Sequence, residues 1–199
     1  RAEEARTALD RGAEGIGMLS TEQLFIGRRE LPTEEEQLEA YRQAARSMEG
    51  RRVVVRTLNA GGNKDIPYLR QEREENPSLG YRAIRCCLDR PEMFKIQLRA
   101  LLRAGAENPN ISILLPLVNR TDEVKRTREL LAQCMRELET QKMPFCREIC
   151  LGVMIETPAA ALTADLLARE VDFFGIDIDN LTQYMLAVDR SSAKVEGLY

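Results

Sequence analysis

Apolar and polar positions follow two different rhythms along these 199 residues, and the two rhythms take turns. Short apolar runs stand at 14–20 (E-G-I-G-M-L-S), 52–58 (R-V-V-V-R-T-L), 111–118, 150–155 and 171–176. Each has the length of a strand, and nearly continuous apolar character predicts strands covered on both faces. Between them apolar residues recur every three or four positions. Leu38, Tyr41, Ala45 and Met48 make one such stripe, Phe94, Leu98, Leu101 and Leu102 a second, and Val124, Leu131, Cys134 and Leu138 a third. That spacing predicts helices with one buried face.

The punctuation agrees. A helix over Glu3 to Arg11 closes at Gly12, a residue suited to the left-handed turn after a helix. Thr33 and Glu36, after Pro32, have the spacing of a capping box. Asp89 and Pro91 suit the N-cap and first turn of the second stripe. Thr121 opens the third, and Pro158 starts a further helix carrying Leu162 and Leu166. Residues 65–90 show no rhythm and are rich in Arg, Glu and Pro.

Helices between successive strands imply right-handed crossovers and a parallel sheet. The chemically suggestive side chains stand at the ends of several strands, which favours a (β/α) barrel over a doubly wound sheet with one switch point. A closed barrel of this type needs eight strands and typically ~250 residues. Five strands are counted here, so the expected fold is α/β, an incomplete TIM-type (β/α)8 barrel forming one domain over residues 1–199.

Two strand ends stand out. V-M-I-E-T-P delivers Glu156, and the run ending I-D-I-D-N delivers Asp177, Asp179 and Asn180. Neighbouring carboxylates at the carboxyl edge of a parallel sheet suggest oxygen ligands for a hard cation such as Mg2+. Glu156 before Thr-Pro equally suits a helix-entry acid stabilised by the helix dipole. Arg56 interrupts an apolar strand, where an unpaired charge is costly, which points to a site role. Gly61 and Gly62 by themselves read as a turn. Arg82 and Arg85 are three apart on a predicted helix, and Arg85 reads as a salt-bridge residue.

Composition narrows the chemistry further. Lys and Arg total 29 against 32 Asp and Glu, a formal charge of -3, which argues against a general nucleic-acid or membrane surface. No apolar run approaches a membrane span, and the charged opening R-A-E-E-A-R reads as helix, not signal peptide. There is no histidine, which removes Ser-His-Asp and Cys-His catalysis, a Cys/His zinc site and a phosphohistidine from these residues. Cys86, Cys87, Cys134, Cys146 and Cys150 lack paired C-x-x-C spacing and read as mostly packed, reduced thiols of a cytoplasmic protein. Neither G-x-G-x-x-G nor a Walker A motif is present.

Several colinear segments carry a resemblance: G-A-E-G-I-G-M-L-S-T-E, L-P-T-E-E-E-Q, V-V-V-R-T-L-N-A-G-G-N-K, N-P-S-L-G-Y-R-A-I-R, I-E-T-P-A-A and L-T-Q-Y-M-L-A-V-D-R. Over its whole length the chain resembles the phosphoenolpyruvate-binding domain of enzyme I of the bacterial sugar phosphotransferase system, whose relatives include pyruvate phosphate dikinase and phosphoenolpyruvate synthase. The resemblance implies a (β/α)8 barrel of which this chain supplies strands two to six. It also implies transfer of the phosphoryl group of phosphoenolpyruvate (PEP) to a histidine on a separate domain, then to a histidine-containing phosphocarrier protein. A homodimer is implied as well. By position, Arg56, Arg82 and Arg190 become the arginines that clamp PEP, and Glu156 the Mg2+ carboxylate. No catalytic residue of its own falls within this chain, so alone it is expected not to turn over.

The resemblance also exposes departures. Ser20 stands where the family has a substrate-binding arginine, and Asn59 and Asn63 replace acids of the glycine loop. Asp179 occupies the place of a phosphate-contacting Asn, and Asn180 that of the Mg2+ ligand Asp, so Glu156, Asn180 and Asp179 form the expected metal set. Losing one charged hydrogen bond and adding one repulsion, at ~1.5–3 kcal/mol each, corresponds to a loss of roughly two to four powers of ten in affinity if the effects add. A non-catalytic PEP-sensing or dimerisation module is therefore the alternative reading.

Overall fold

The computed structural model describes residues 2–61, 66 and 74–199. Five parallel strands, β1 (Ile16–Ser20), β2 (Val53–Arg56), β3 (Ile111–Leu115), β4 (Cys150–Ile155) and β5 (Phe173–Ile176), lie side by side in chain order. Every neighbouring pair is parallel, with Val53 opposite Ile111, Ile113 opposite Leu151, and Ile155 opposite Ile176. A doubly wound sheet reverses its strand order at a switch point. Unbroken sequential order is the pattern of a (β/α) barrel wall, so the α/β half-barrel expected from the sequence is what forms.

The helices are α1 (Ala2–Asp10), α2 (Glu34–Ser47), α3 (Ile84–Asp89), α4 (Pro91–Glu107), α5 (Thr121–Thr140), α6 (Pro158–Leu162), α7 (Ala164–Leu167) and α8 (Ile178–Leu186). Strand residues alternate between two cores. Val53, Val55, Ile113, Leu115, Val153 and Ile155 face the helices and join Leu38, Tyr41, Phe94, Leu98, Leu101, Val124, Cys134 and Leu138 in the main core. Val54, Leu114 and Met154 point to the opposite, concave face and pack there with Phe173. Gly152 makes room for this second core: a Cβ on it would stand 2.5 Å from the Phe173 ring. Burial on both faces explains why β2, β3 and β4 read as continuous apolar runs. The outer strands β1 and β5 are covered only in part, with Met18, Phe174 and Ile176 exposed.

Thr33 and Glu36 form the capping box, with Glu36 Nα–H donating to Thr33 Oγ1 at 3.2 Å and Thr33 N–H to Glu36 Oε2 at 2.8 Å. Other local expectations need correction. Asp89 ends α3 and accepts from the Tyr81 hydroxyl at 2.6 Å, while Arg90 takes the N-cap position of α4 with no side-chain cap. Residues 65–90 are not wholly irregular, since α3 and a 3-10 turn over Pro77–Leu79 lie there. Among the described residues Arg85 makes no salt bridge but donates to the Leu79 and Gly80 carbonyls at 2.6 and 2.8 Å. The single helix expected from Pro158 breaks in two at Thr163, whose hydroxyl bonds back to the Ala159 carbonyl at 2.8 Å. Leu162 and Leu166 consequently face solvent, and Ala160 and Leu167 carry the burial. All five cysteines are free thiols, with Cys86, Cys87 and Cys134 buried, Cys146 half-buried and Cys150 exposed.

Candidate functional site

Arg56, Glu156 and Asp177 lie at or just beyond the carboxyl ends of β2, β4 and β5. β2 and β3 stop before the ends of their apolar runs, at Arg56 and Leu115, and the residues that follow leave the ladder, while β4 matches its run and β1 and β5 lose only the first residues of theirs. A cavity of about 340 Å3 opens there, lined by Arg56, Asn59, Arg82, Asp177, Asn180 and Arg190 among others, within the ~300–1,000 Å3 common for small-ligand clefts.

Arg56 is the last residue of β2 and is buried. Its Nη2 donates to Ser20 Oγ at 3.1 Å, on the last residue of β1, and to Glu22 Oε1 at 2.7 Å, just past that strand. Its Nε is buried without a hydrogen-bond partner among the described residues. Glu22 thus neutralises Arg56 from behind, which meets the cost of burying a charge, and Ser20 holds the guanidinium by a neutral contact. Gln97 of α4 braces this corner. Its Oε1 accepts from Leu58 N–H at 2.9 Å, and its Nε2 donates to Tyr41 Oη at 3.0 Å and Thr21 Oγ1 at 3.3 Å. Thr21 in turn donates to the Arg56 carbonyl at 3.0 Å.

Arg82 comes from the turn before α3. Its Nη2 donates to Asn59 Oδ1 at 3.0 Å and its Nη1 to Tyr184 Oη at 3.2 Å. The Tyr184 hydroxyl donates onward to the Ser78 carbonyl at 2.6 Å, which ties α8 to this turn. Gly61 is more than a turn residue. It has φ +105, and a Cβ there would lie 2.6 Å from Arg82 Cβ and 2.8 Å from the Tyr81 carbonyl oxygen, so only glycine lets the loop pass this close. Asn63 of the same loop lies outside the described residues. Arg190, beyond α8, is exposed at the mouth and reaches toward Asp179 Oδ2 at 3.9 Å.

The acidic side is built differently. Glu156 follows β4 and has no exposed surface. Its Oε1 accepts from Leu117 N–H at 2.7 Å, and its Oε2 from Asn180 Nδ2 at 2.8 Å. Leu117 adopts φ +58, a costly conformation for a bulky residue. Asp177 caps α8, accepting from Asn180 N–H at 3.0 Å, and its Oδ2 receives the same Asn180 Nδ2 at 2.8 Å. Burial raises the Glu156 pKa and the Asp177 charge adds to it, while the Leu117 N–H, the Arg82 charge and the Asn180 amide oppose the rise.

Arg56, Arg82, Arg190 and Asn180 are thus brought to one cavity, with Glu156 directly behind Asn180. Asp179 is not: its side chain is 75% exposed on the outer face of α8, one residue away on a helix being about 100° of rotation. The acid beside Glu156 is Asp177. It belongs to the same apolar run, but its inward direction depends on the cap geometry, which spacing does not reveal. Glu22 and Tyr184, which hold the arginines, were legible only as parts of the S-T-E and L-T-Q-Y segments.

A Mg2+ ion asks for near-octahedral oxygen donors, usually one or two carboxylates with ligand oxygens and water. Asn180 offers Glu156 and Asp177 an N–H donor in place of an oxygen. The opposite amide orientation would set Oδ1 against two carboxylates, so the assignment follows from the network. No group of three or more Asp, Glu, Cys or His side chains able to hold a metal occurs among the described residues. As arranged, the residues do not fit the ion.

Comparison with known proteins identifies the family. Residues 1–199 match the family described as PEP-utilising enzyme, PEP-binding domain. The chain is 48% identical over 191 residues to the phosphoenolpyruvate-protein phosphotransferase of Staphylococcus carnosus, covering 96% of this chain and 33% of that protein. Similar proteins of the same name occur in Priestia megaterium, 45% identical over 99% of this chain and 34% of the relative, and in Buchnera aphidicola subsp. Schizaphis graminum, 47% identical over 97% and 34%. The chain therefore spans about a third of the length of these relatives. It belongs to the PEP-binding domain family of the PEP-utilising enzymes.

Proposed function

We propose that the chain binds PEP in the arginine-lined cavity and acts as the PEP module of a phosphoenolpyruvate-protein phosphotransferase. The observation that carries this reading is the convergence of Arg56, Arg82 and Arg190, from three separate segments, on one cavity. PEP carries a phosphate and a carboxylate, and the planar donor fork of arginine suits both. Glu22, Ser20, Asn59 and Tyr184 fix two of the forks in advance, which lowers the ordering cost of binding.

In the proposed reaction the bridging C–O–P linkage of PEP breaks at phosphorus. The phosphoryl group bonds to a histidine nitrogen supplied from outside these residues, which contain none. The electron pair left on the enolate oxygen returns through carbon, which takes up a proton to give pyruvate. The arginines hold the transferring group and its charge in place. A histidine-containing phosphocarrier protein as the next acceptor, sugar uptake as the pathway, a homodimer and a cytoplasmic location complete the proposal. Among the described residues no helix is long and apolar enough to cross a membrane. No step is routed through Mg2+.

The test is transfer of label from 32P-PEP to the phosphocarrier by the full-length protein that carries this chain. Transfer that is lost in Arg82→Ala supports the reading; absence of transfer with PEP in excess refutes it. The sensing module is the second reading, favoured by the neutral Ser20 and by the amide at Asn180. PEP binding with no transfer selects it.

A further inference from the structure

We infer that the side-chain amide of Asn180 replaces a divalent cation at the acidic end of the cavity, so that this chain holds its anionic ligand without Mg2+. Glu156 and Asp177 approach from two different elements, the end of β4 and the cap of α8. Two carboxylates that share a site repel unless positive charge or donors lie between them. The amide nitrogen of Asn180 carries two hydrogens, and it stands 2.8 Å from Glu156 Oε2 and 2.8 Å from Asp177 Oδ2. One hydrogen for each carboxylate satisfies both, in the space where a cation would otherwise bridge them.

The surroundings make the substitution complete. Glu156 Oε1 is taken by the Leu117 N–H at 2.7 Å and Asp177 Oδ1 by the Asn180 N–H at 3.0 Å, so every oxygen of the pair has a donor. Glu156 and Asn180 are both buried, which leaves little access for a hydrated ion that parts with water reluctantly. Asp179, an acid able to add a third oxygen, faces outward. Among the described residues, the positive charge that an anionic ligand meets is then arginine alone, from Arg56, Arg82 and Arg190.

Mn2+ serves as the probe, with uptake by the purified protein followed through loss of the free-ion electron paramagnetic resonance signal and with no PEP present. The wild type is expected to take up no Mn2+ at concentrations that load Asn180→Asp with one ion per chain. The thermal midpoint of Asn180→Asp is expected to fall in EDTA and recover with Mg2+, while that of the wild type stays within about 1 °C, as for a protein with no binding linkage. One Mn2+ per wild-type chain, abolished by Glu156→Gln, would overturn the inference. If three crowded carboxylates keep Asn180→Asp from folding, the wild-type uptake decides alone. The ligand arm rests on the proposed PEP reading: the wild-type dissociation constant for PEP should agree within about twofold in EDTA and in Mg2+, and a tenfold tightening by Mg2+ (~1.4 kcal/mol) contradicts the inference. If PEP binds in neither condition the proposed ligand is wrong, and Mn2+ uptake still decides the cation.

Discussion

The two sides of the cavity handle charge in opposite ways. On the arginine side, Arg56 and Arg82 are each held from behind by groups that leave donors facing the cavity: Glu22 and Ser20 for one, Asn59 and Tyr184 for the other. On the acidic side, Glu156, Asn180 and Asp177 satisfy one another and present little that a further ligand can use. The first side is organised for an anion that arrives from outside. The second is complete as it stands. A cavity can thus keep anion recognition while its cation corner is closed by one amide.

The comparison breaks most strongly at Glu22. Glu22→Ala strands the Arg56 guanidinium in a buried position, and loss of one partner of a buried pair costs about 3–5 kcal/mol. A urea midpoint shift with unchanged slope is the expected signature. Next in size is Arg82→Ala. It removes charged hydrogen bonds to ligand worth ~1.5–3 kcal/mol, so PEP should bind roughly tenfold to more than a hundredfold more weakly in calorimetry. Gly61→Ala follows. It forces a Cβ against Arg82 at φ +105, and is expected to cost about 1–3 kcal/mol in stability, with weaker ligand binding through displacement of Arg82.

The acidic side gives the smallest effect, readable as a slope. Burial lifts the Glu156 pKa above its ordinary 4.5, so the fold favours the neutral carboxyl. Its contribution to stability is whole below the unfolded value and is lost as pH rises through the raised folded value. Glu156→Gln stays neutral throughout. The wild type should therefore lose stability relative to Glu156→Gln as pH rises out of the ordinary carboxylate range. A difference that is flat across that window would contradict the burial argument.

The architecture was written in the sequence because both of its periods are dictated by packing. Strands covered on two faces must be apolar at every position, and helices laid on the sheet must be apolar every three or four, so β2, β3 and β4 and the α2, α4 and α5 stripes could be read directly. β1 and β5 keep apolar runs although each exposes part of its length. What escaped were features set by one backbone angle or by a distant partner. The direction of Asp177 against that of Asp179 depends on where α8 begins. Leu117 meets Glu156 through a backbone N–H, which carries no side-chain signal, and Gly61 is needed because the turn before α3 passes against it. The break at Thr163 arises from a hydroxyl that bonds its own helix. Arg56 was legible as a charge interrupting an apolar run, whereas Arg82 and Arg190 were named by the colinear motifs and by no periodicity.

The central claim is that the arginine side receives PEP. Isothermal titration of PEP into the wild type in EDTA, alongside Arg56→Ala and Arg82→Ala, tests it most directly. The account expects one saturable site per chain in the wild type and a loss of roughly tenfold or more in affinity in each variant. No binding by the wild type, or equal binding by all three proteins, would contradict it.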